Sequence, residues 1–443
     1  MEADSRDQRI EQLEAENRTL RDLVEQLLDR LEQQEREAAR QAAPFRRKDK
    51  QRKPPQEHGK PGRKPGHPPA YREEPPQIDE QTEVQLAGCP HCGGPVEDVR
   101  PCEQIIEDLP MIRPHVTRLV TYTGQCPRCG EVRSTHPMQI SAATGAAKVH
   151  LGARALALAA LLNKHHGLTM RRTCKVLHHL TGLKITPGGL AQALHRVADK
   201  AMGSFAGLVA GLRRQPAVYV DETSWWRAGN GCWLWTFTTP ERTIYRVDTS
   251  RGKDVVLQML GAHFPGVLVS DCLATYENLP FTMQKCYAHH LKAISKARER
   301  KPEDQRTFFD ELRHTLRAAI TLGHLRGDLP PPEFGQRRHH LGLRAANLIT
   351  PPRTDSDEER VANRLRKRSH CLFTFLDQAG VEATNNRTER ALRPAVIARK
   401  LSCGNKTPRG SRTWEVLVSI AETCHQRGQD FVEQLRPCLL LQP

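Results

Sequence analysis

The chain has 443 residues, which is enough for several domains rather than one. Its 67 Lys and Arg residues outnumber the 51 Asp and Glu residues and give a net charge of +16 at pH 7, so a polyanionic partner, usually nucleic acid, is expected. No segment approaches the ~20 apolar residues of a membrane-spanning helix, and the charged, Gln-rich start is no signal peptide, which indicates a soluble intracellular protein with no membrane partner.

Residues 9–40 carry side chains of a coiled-coil seam at alternating spacings of three and four. The members are Ile10, Leu13, Asn17, Leu20, Val24, Leu27 and Leu31. About three heptads with one Asn at an a position are typical of a short parallel dimeric coiled coil. We predict a homodimer or higher assembly through residues 9–40. The alternative is a lone amphipathic helix packed on its own domain.

Residues 44–76 are rich in proline, lysine and arginine and cannot build a core. An extended basic linker of this kind could follow DNA phosphates or place an arm in the minor groove through Lys60, Arg63 and Lys64. A solvated linker without DNA contacts explains the pattern equally well.

Two Cys-x-x-Cys pairs follow, separated by the 33 residues from 93 to 125. Each pair supplies two thiolates from a tight turn, and four thiolates form a closed tetrahedral zinc site. The predicted structural Zn²⁺ ligands are Cys89, Cys92, Cys126 and Cys129. A redox role is the weaker alternative, because two copies are present and neither opens an evident helix of a βαβ unit.

From about residue 150 the apolar residues recur at helical spacing. A helix at 169–180, a Gly-containing turn and a second helix from Pro187 match a helix-turn-helix arrangement, with a plain helical connector as the alternative. The residues that would then face a DNA groove are Gln192, His195 and Arg196.

From residue 216 the pattern changes to that of strands, with one helix at 253–262. The predicted strands are 217–226, 231–239, 242–248 and 266–270. Three strands, a helix and a fourth strand match the ribonuclease-H-like order of a mixed α/β fold. Helix-like patterns at 303–323 and 357–378 indicate a helical insertion after this sheet.

Three acidic residues lie in runs that suit a metal-dependent nuclease. Asp221 and Asp271 end apolar, β-branched runs, and the predicted sheet makes them neighbours. Glu389 follows the helix-capping residue Asn385 by one turn. Oxygen ligands suit Mg²⁺, and two such ions ~4 Å apart can support phosphoryl transfer. The alternative is that each acid is separately a cap or an ion-paired group, for example Glu389 with Arg393.

Two further motifs have both a structural and a functional interpretation. Cys286 and His289 would lie one turn apart, which is half of a metal site or ordinary core packing. A cluster of four tryptophans could stack on flipped bases, although its strand spacing favours hairpin or core packing. Its members are Trp225, Trp226, Trp233 and Trp235.

Together these motifs resemble the insertion sequence 66 family of DDE transposases. The similarity rests on Asp221-Glu-Thr, Val269-Ser-Asp271, Cys286-Tyr-Ala-His289 and above all Asn385-Asn-Arg-Thr-Glu389-Arg-Ala-Leu-Arg-Pro. The order of parts also agrees, from the zipper-like start and the linker to the four-Cys region, the helical region and the acidic runs.

The resemblance implies that Asp221, Asp271 and Glu389 bind Mg²⁺ or Mn²⁺, two ions in all, in a ribonuclease-H-like active site. It implies a supporting role for the residues around them. These are Cys286, His289, Asn385, Asn386 and Arg390. The implied reaction cuts a strand at the transposon end to leave a 3′-OH, which then attacks target DNA.

The implied partners are DNA, both transposon ends and target, and accessory proteins of the element, in the bacterial cytoplasm near the nucleoid. Two other functions remain open. One is a catalytically inactive or domesticated zinc-containing protein that binds specific DNA sequences. The other is a nuclease that cuts without joining.

The predicted domains follow from these changes in pattern. They are a coiled coil at 1–43, a basic Pro/Gly-rich linker at 44–80, a zinc-binding domain at 81–140, a helical DNA-binding domain at 141–212, a ribonuclease-H-like catalytic domain at 213–400 with a helical insertion at about 302–380, and a helical tail at 401–443.

Overall fold

A computed structural model describes residues 72–140 and 149–440. The predicted coiled coil and the linker residues Lys60, Arg63 and Lys64 therefore lie outside the described residues. The chain divides into two compact units, with the boundary in the sequence between Pro110 and Met111. Within the described residues, no helix is long and apolar enough to cross a membrane.

Each unit contains one of the two Cys-x-x-Cys turns. In the first unit, residues 72–110 include a turn at Cys89 and form neither helix nor strand. The second unit starts with an antiparallel hairpin around the other turn. Its strands are β1 (Thr123–Cys126) and β2 (Gly130–Arg133), with Cys126 opposite Gly130.

A helical region precedes the main sheet. It consists of α1 (Ala153–Ala160), a π-helical turn (Leu161–His165), α2 (Met170–Thr181), α3 (Pro187–Lys200) and α4 (Met202–Leu212). Thr169 and Thr186 accept backbone N–H groups at the starts of α2 and α3, and Gly182 ends α2 at φ +73°. The two predicted helices and the turn between them are confirmed.

The main sheet has five strands and mixed pairing. Its elements are β3 (Ala217–Arg227), β4 (Asn230–Thr238), β5 (Thr243–Asp248), α5 (Lys253–Leu260), β6 (Val267–Ser270) and β7 (Thr282–Lys285). The order across the sheet is β5-β4-β3-β6-β7, with β3, β4 and β5 antiparallel and β6 and β7 parallel to β3. This confirms the predicted strands and fits the ribonuclease-H-like order.

Alternation along β3 supplies apolar side chains to both faces of the sheet. Val218 and Val220 enter one core with α5 and the helical region, whereas Ala217 and Tyr219 enter a second core. Five helices pack around the second core. They are α6 (Tyr287–Arg298), α7 (Thr307–His324), α8 (Pro331–Ile349), α9 (Ser356–Arg366) and α10 (Thr374–Asp377). Helix α8 is a finding that the sequence pattern did not predict, since only Ala345, Leu348 and Ile349 of it are buried.

Three helices complete the unit: α11 (Asn386–Ser402), α12 (Pro408–Gln426) and α13 (Phe431–Leu439). Helix α12 covers the edge of β5 through its side chains. The outward N–H groups of β5 donate to side-chain oxygens spaced four residues apart on α12, at 2.9–3.2 Å. The pairs are Thr243 with Thr423, Tyr245 with Ser419 and Val247 with Glu415. The sheet edge thus has hydrogen-bond partners without another strand.

The segment after α11 closes onto the β3–β4 hairpin. The Asn405 N–H donates to the Trp226 carbonyl, and the Asn405 carbonyl accepts from the Ala228 N–H, both at 2.9 Å. The Trp225 indole N–H donates to Asn405 Oδ1 at 2.9 Å. Gly404 has φ +84°, and a Cβ there would lie 2.2 Å from the Trp226 carbonyl oxygen.

Gly404→Ala should therefore destabilise the protein, because it adds both backbone strain and a clash with main-chain atoms. We expect the free energy of unfolding to fall by about 2 kcal/mol in urea denaturation. The matched control is Gly207→Ala, at an exposed helical position with open space around it. That variant should be as stable as the wild type or slightly more so. Equal stabilities for the Gly404→Ala variant and the wild type would contradict the expectation.

Candidate active site

Parallel pairing of β3 and β6 brings two of the predicted carboxylates together. Tyr219 lies opposite Val269, and the same register continued by two residues places Asp221 alongside Asp271. Asp271 directly follows the last residue of β6. Asp221 lies within β3 rather than at its end, because β3 continues into the hairpin with β4.

Each of the two aspartates accepts a hydrogen bond through one of its carboxylate oxygens. Asp221 Oδ1 accepts from the Glu222 N–H at 2.8 Å, and Asp271 Oδ1 accepts from the Leu273 N–H at 2.9 Å. For each carboxylate the other oxygen has no hydrogen-bond partner in the described part of the chain. One oxygen of each aspartate is therefore fixed, and the other is available to a ligand.

Glu389 reaches this edge of the sheet after the helical insertion. The Glu382 N–H donates to the Tyr219 hydroxyl at 2.9 Å, and Asn385 Nδ2 donates to the Val220 carbonyl at 2.8 Å. These bonds attach the start of α11 to β3, directly beside Asp221. Glu389 lies in the first turn of α11, is exposed, and makes no ion pair with Arg393 among the described residues.

Asn385 joins three segments rather than capping its helix. It occupies the N-cap position of α11, but its side chain makes no capping bond, contrary to the prediction. Its Oδ1 accepts from the Thr388 hydroxyl at 2.7 Å, and its backbone N–H donates to Cys286 Sγ at 3.1 Å. Asn385 is buried, so these bonds fix the position from which Glu389 projects.

Cys286 and His289 have different surroundings. Cys286 is fully buried at the start of α6, and burial raises the pKa of its thiol to about 11, so the thiol is neutral. His289 is half-buried, and its Nδ1 has no hydrogen-bond partner among the described residues. Of the other motif residues, Asn386 is half-buried and Arg390 is exposed.

The acids affect one another electrostatically. Burial, followed by the charges of Glu222, Asp271 and Glu389, raises the pKa of Asp221 to about 8. Carboxylates ~4 Å apart repel by about 4 kcal/mol at an effective dielectric constant of 20, so converging acids favour a bound cation or a bound proton. The three predicted carboxylates therefore share one electrostatic environment.

Glu222 is a functional residue that the sequence reasoning missed. It is buried on the opposite face of β3 from Asp221, where its Oε1 accepts from Arg251 Nε at 2.9 Å and its Oε2 accepts from the Tyr276 hydroxyl. Tyr276 lies in the turn that follows Asp271. The sequence could have indicated this, because position 222 lies on the same strand face as the core residues Val218 and Val220. A buried acid at such a position requires hydrogen-bond or ion-pair partners.

Lys285 is a buried cationic residue close to the end of β6 that carries Asp271. Its Nζ donates to Ser270 Oγ at 3.0 Å, and Ser270 directly precedes Asp271. Burial lowers the pKa of Lys285. Together with Arg251, this lysine places two cationic side chains near the acids on the face opposite α11.

The donor chemistry fits a hard divalent cation, which prefers oxygen ligands and uses few protein carboxylates. The ligand set is not closed, however. Across residues 72–140 and 149–440, no three His, Cys, Asp or Glu side chains are gathered closely enough to hold a metal ion. Asp221, Asp271 and Glu389 thus face one region with space between them.

Each Cys-x-x-Cys turn has the local geometry of a thiolate ligand. In the first turn, backbone N–H groups of His91 and then Cys92 lower the pKa of the Cys89 thiol. In the second turn, backbone N–H groups of Arg128 and then Cys129 lower the pKa of the Cys126 thiol. A sulfur that accepts two N–H groups is stabilised as the anion that zinc binds. The donor set therefore fits zinc at each turn.

The predicted DNA-contact residues of α3 differ in exposure. Gln192 and Arg196 are exposed, while the apolar face of α3 is buried. His195 is half-buried, and its Nδ1 lies 2.6 Å from the Thr413 hydroxyl of α12. His195 therefore contacts another helix of the protein, and only Gln192 and Arg196 present free side chains to solvent.

The raised pKa of Asp221 predicts a pH-dependent stability difference. The unfolded chain loses this proton near the ordinary pKa of 3.8, whereas the folded protein retains it up to about pH 8. Between these two pH values the folded protein holds a proton that the unfolded chain has released. The free energy of unfolding of the wild type therefore falls as the pH rises through this range. In buffer without added Mg²⁺, Asp221→Asn should become increasingly more stable than the wild type over this range, as measured by urea denaturation.

The matched control is Asp304→Asn, on an exposed turn far along the chain. It should leave the pH dependence of the wild type unchanged. If Asp221→Asn and the wild type unfold with the same pH dependence, the acids do not share the environment described above.

Comparison with known proteins identifies the family of the chain. The family described as Transposase IS66 family matches residues 148–413, which is more than half of the chain. A protein of Sinorhizobium fredii, described as uncharacterized protein y4qI, is 24% identical over 327 residues, an alignment that covers 65% of this chain and 58% of that protein. The chain thus spans about three-fifths of the relative's length. By the extent of the family match, the chain belongs to the IS66 family of transposases.

Proposed function

We propose that the protein is a DDE transposase that binds the ends of an insertion sequence and catalyses metal-dependent cleavage and strand transfer. The observation that carries this proposal is the placement of Asp271 and Glu389 close enough to Asp221 for their charges to raise the pKa of Asp221. Membership of the transposase family and the net charge of +16 support DNA as the substrate.

In this proposal the three acids hold Mg²⁺ or Mn²⁺, and two bound ions would activate the attacking oxygen and stabilise the leaving one. Asp221 and Asp271 offer their free oxygens from a rigid sheet. Glu389 approaches from α11, whose position depends on Asn385. Hydrolysis of a phosphodiester bond at the element end leaves a 3′-OH, and that hydroxyl then attacks a phosphodiester bond of the target.

The proposal assigns DNA contacts to several other residues. Exposed Arg390 directly follows Glu389 on α11 and suits a phosphate next to the scissile bond, while Asn386 supports the start of α11. Gln192 and Arg196 on α3 and the linker residues Lys60, Arg63 and Lys64 would contact the element ends. Self-association through residues 9–40 would bring two ends together, with accessory proteins of the element as further partners.

Asp221→Asn and Glu389→Gln should abolish both nicking and joining of element ends in Mg²⁺ while sparing end binding. Each change removes a metal-binding charge but keeps the size of the side chain. The measurement is incubation of the purified protein with its flanking DNA ends, scored for nicked and joined products, with binding followed by mobility shift.

Glu303→Gln is the control, since Glu303 is exposed on a turn away from the acids. It should cut and join as the wild type does. Joining by either active-site variant at the wild-type rate would refute the assignment. A wild type that cuts but never joins a pre-cut end would be a nuclease, and one that only binds DNA would be a catalytically inactive relative.

We further propose that Cys89, Cys92, Cys126 and Cys129 bind structural Zn²⁺. The support is the lowered pKa of the first thiol in each turn, together with the shortage of buried apolar residues nearby. A region with so little core would depend on metal, because structural zinc contributes on the order of 10 kcal/mol of apparent binding free energy.

Cys89→Ser and Cys126→Ser should each remove most of the bound zinc, as measured by elemental analysis of the purified protein. Losses are expected from both variants because each substitution removes one thiolate of a Cys-x-x-Cys pair on which metal binding depends. Cys102→Ser is the control, since Cys102 is exposed and belongs to neither pair. Retention of zinc by both pair variants would contradict the proposal, as would an equal loss from the control.

A further inference from the structure

The four clustered tryptophans have two different environments. Trp225 and Trp235 are buried, the first against Trp414 with ring centroids 4.8 Å apart and the second against Tyr276 at 6.2 Å. Trp226 is 47% exposed, and Trp233 is partly exposed. Core packing therefore explains Trp225 and Trp235, and Trp233 also packs in part against the first core. Of the four, Trp226 is left without a packing role among the described residues.

Trp226 and Trp233 lie on the same face of the β3–β4 hairpin. Trp226 pairs with Gly231, and Trp233 is the next residue of β4 on that face. Diagonal neighbours of this kind are within reach of aromatic side chains. Gly231 has no side chain, and a Cβ there would meet nothing within 4 Å. The space beside the Trp226 ring is thus open to an incoming flat group.

The backbone that presents Trp226 is rigid. The Asn405 hydrogen bonds described above flank it on both sides, and the close approach of Gly404 fixes the spacing. Next to this contact, Cys403 and Ala228 adopt the left-handed conformation at φ +54° and +51°. A rigid exposed indole loses little conformational entropy when it binds a partner.

The charges around the hairpin favour a polyanion. The Arg251 guanidinium lies 4.2 Å from the centre of the Trp233 ring and binds Glu222, the residue after Asp221. The hairpin sequence 223–235 and the segment 396–414 contain six Arg and Lys residues and no Asp or Glu. Trp226 lies five residues beyond Asp221 along β3, about 16 Å away, and on the opposite face of the strand.

We propose that Trp226, beside Trp233, is a stacking platform for an unpaired base of a DNA strand that leads away from the active-site acids. Aromatic side chains bind any base through its flat face, and stacking requires a base that is not paired within a duplex. The inference rests on the proposed function and adds that DNA leading from the scissile phosphate to the hairpin is held open there.

The test compares binding of a short labelled single strand and of its duplex by fluorescence anisotropy, with the full-length zinc-containing protein and no added Mg²⁺. Trp226→Ala should weaken single-strand binding about ten-fold, the effect of one lost base stack, and leave duplex binding unchanged. Trp226→Phe should restore most of the affinity, and Trp226→Leu should not. The salt dependence of binding should be the same in all, because no phosphate contact is removed.

Leu343→Ala is the control, since Leu343 is an exposed apolar residue of α8 on another part of the unit. It should bind both DNAs as the wild type does. The proposal would be overturned if Trp226→Ala bound the single strand as tightly as the wild type does, or if it lost affinity for the single strand and the duplex equally. A variant that changed only its oligomeric state would also overturn it. Because binding is measured without catalysis, loss of the platform and failure of the cleavage assignment give separate results.

Discussion

The parallel pairing of β3 with β6 is the constraint on which the site depends. It places two acids side by side at a point where one strand ends and the other continues. Their repulsion is unfavourable in the free protein, so the surrounding structure must hold them in place. The second core on one face and the hydrogen bonds at the start of α11 both serve that purpose, and the resulting edge suits a cation and a phosphate.

The opposite face of the sheet balances this negative charge. Glu222 would add a further acid, but Arg251 and the Tyr276 hydroxyl bind both of its oxygens. Glu222 follows Asp221 and Tyr276 lies in the turn after Asp271, so their hydrogen bond joins the two segments that carry the acids. The residues that compensate the charge of Glu222 therefore also help to position Asp221 and Asp271, and they lie on the sheet face opposite to Asp221.

Much of this arrangement could be predicted from the sequence. The alternation of apolar residues indicated the strands of the main sheet, and their order made Asp221 and Asp271 neighbours. Position 389 could be assigned only through its motif, because local patterns carry no information on how a chain returns after a long insertion. Asn385 was expected to cap a helix, but a tertiary contact with Val220 takes its side chain instead. Helix α8 escaped prediction because most of its surface is polar and exposed.

Helix α12 has a consequence for how the protein is made. Its side chains complete the hydrogen bonds of β5, which precedes it by about 170 residues. During synthesis the edge of β5 remains open until this helix leaves the ribosome, and an open edge can pair with other chains. A copy of the gene that is interrupted between codons 389 and 415 would therefore encode a sheet with an unsatisfied edge. Such truncated products would be prone to aggregation even though every acid of the active site is present.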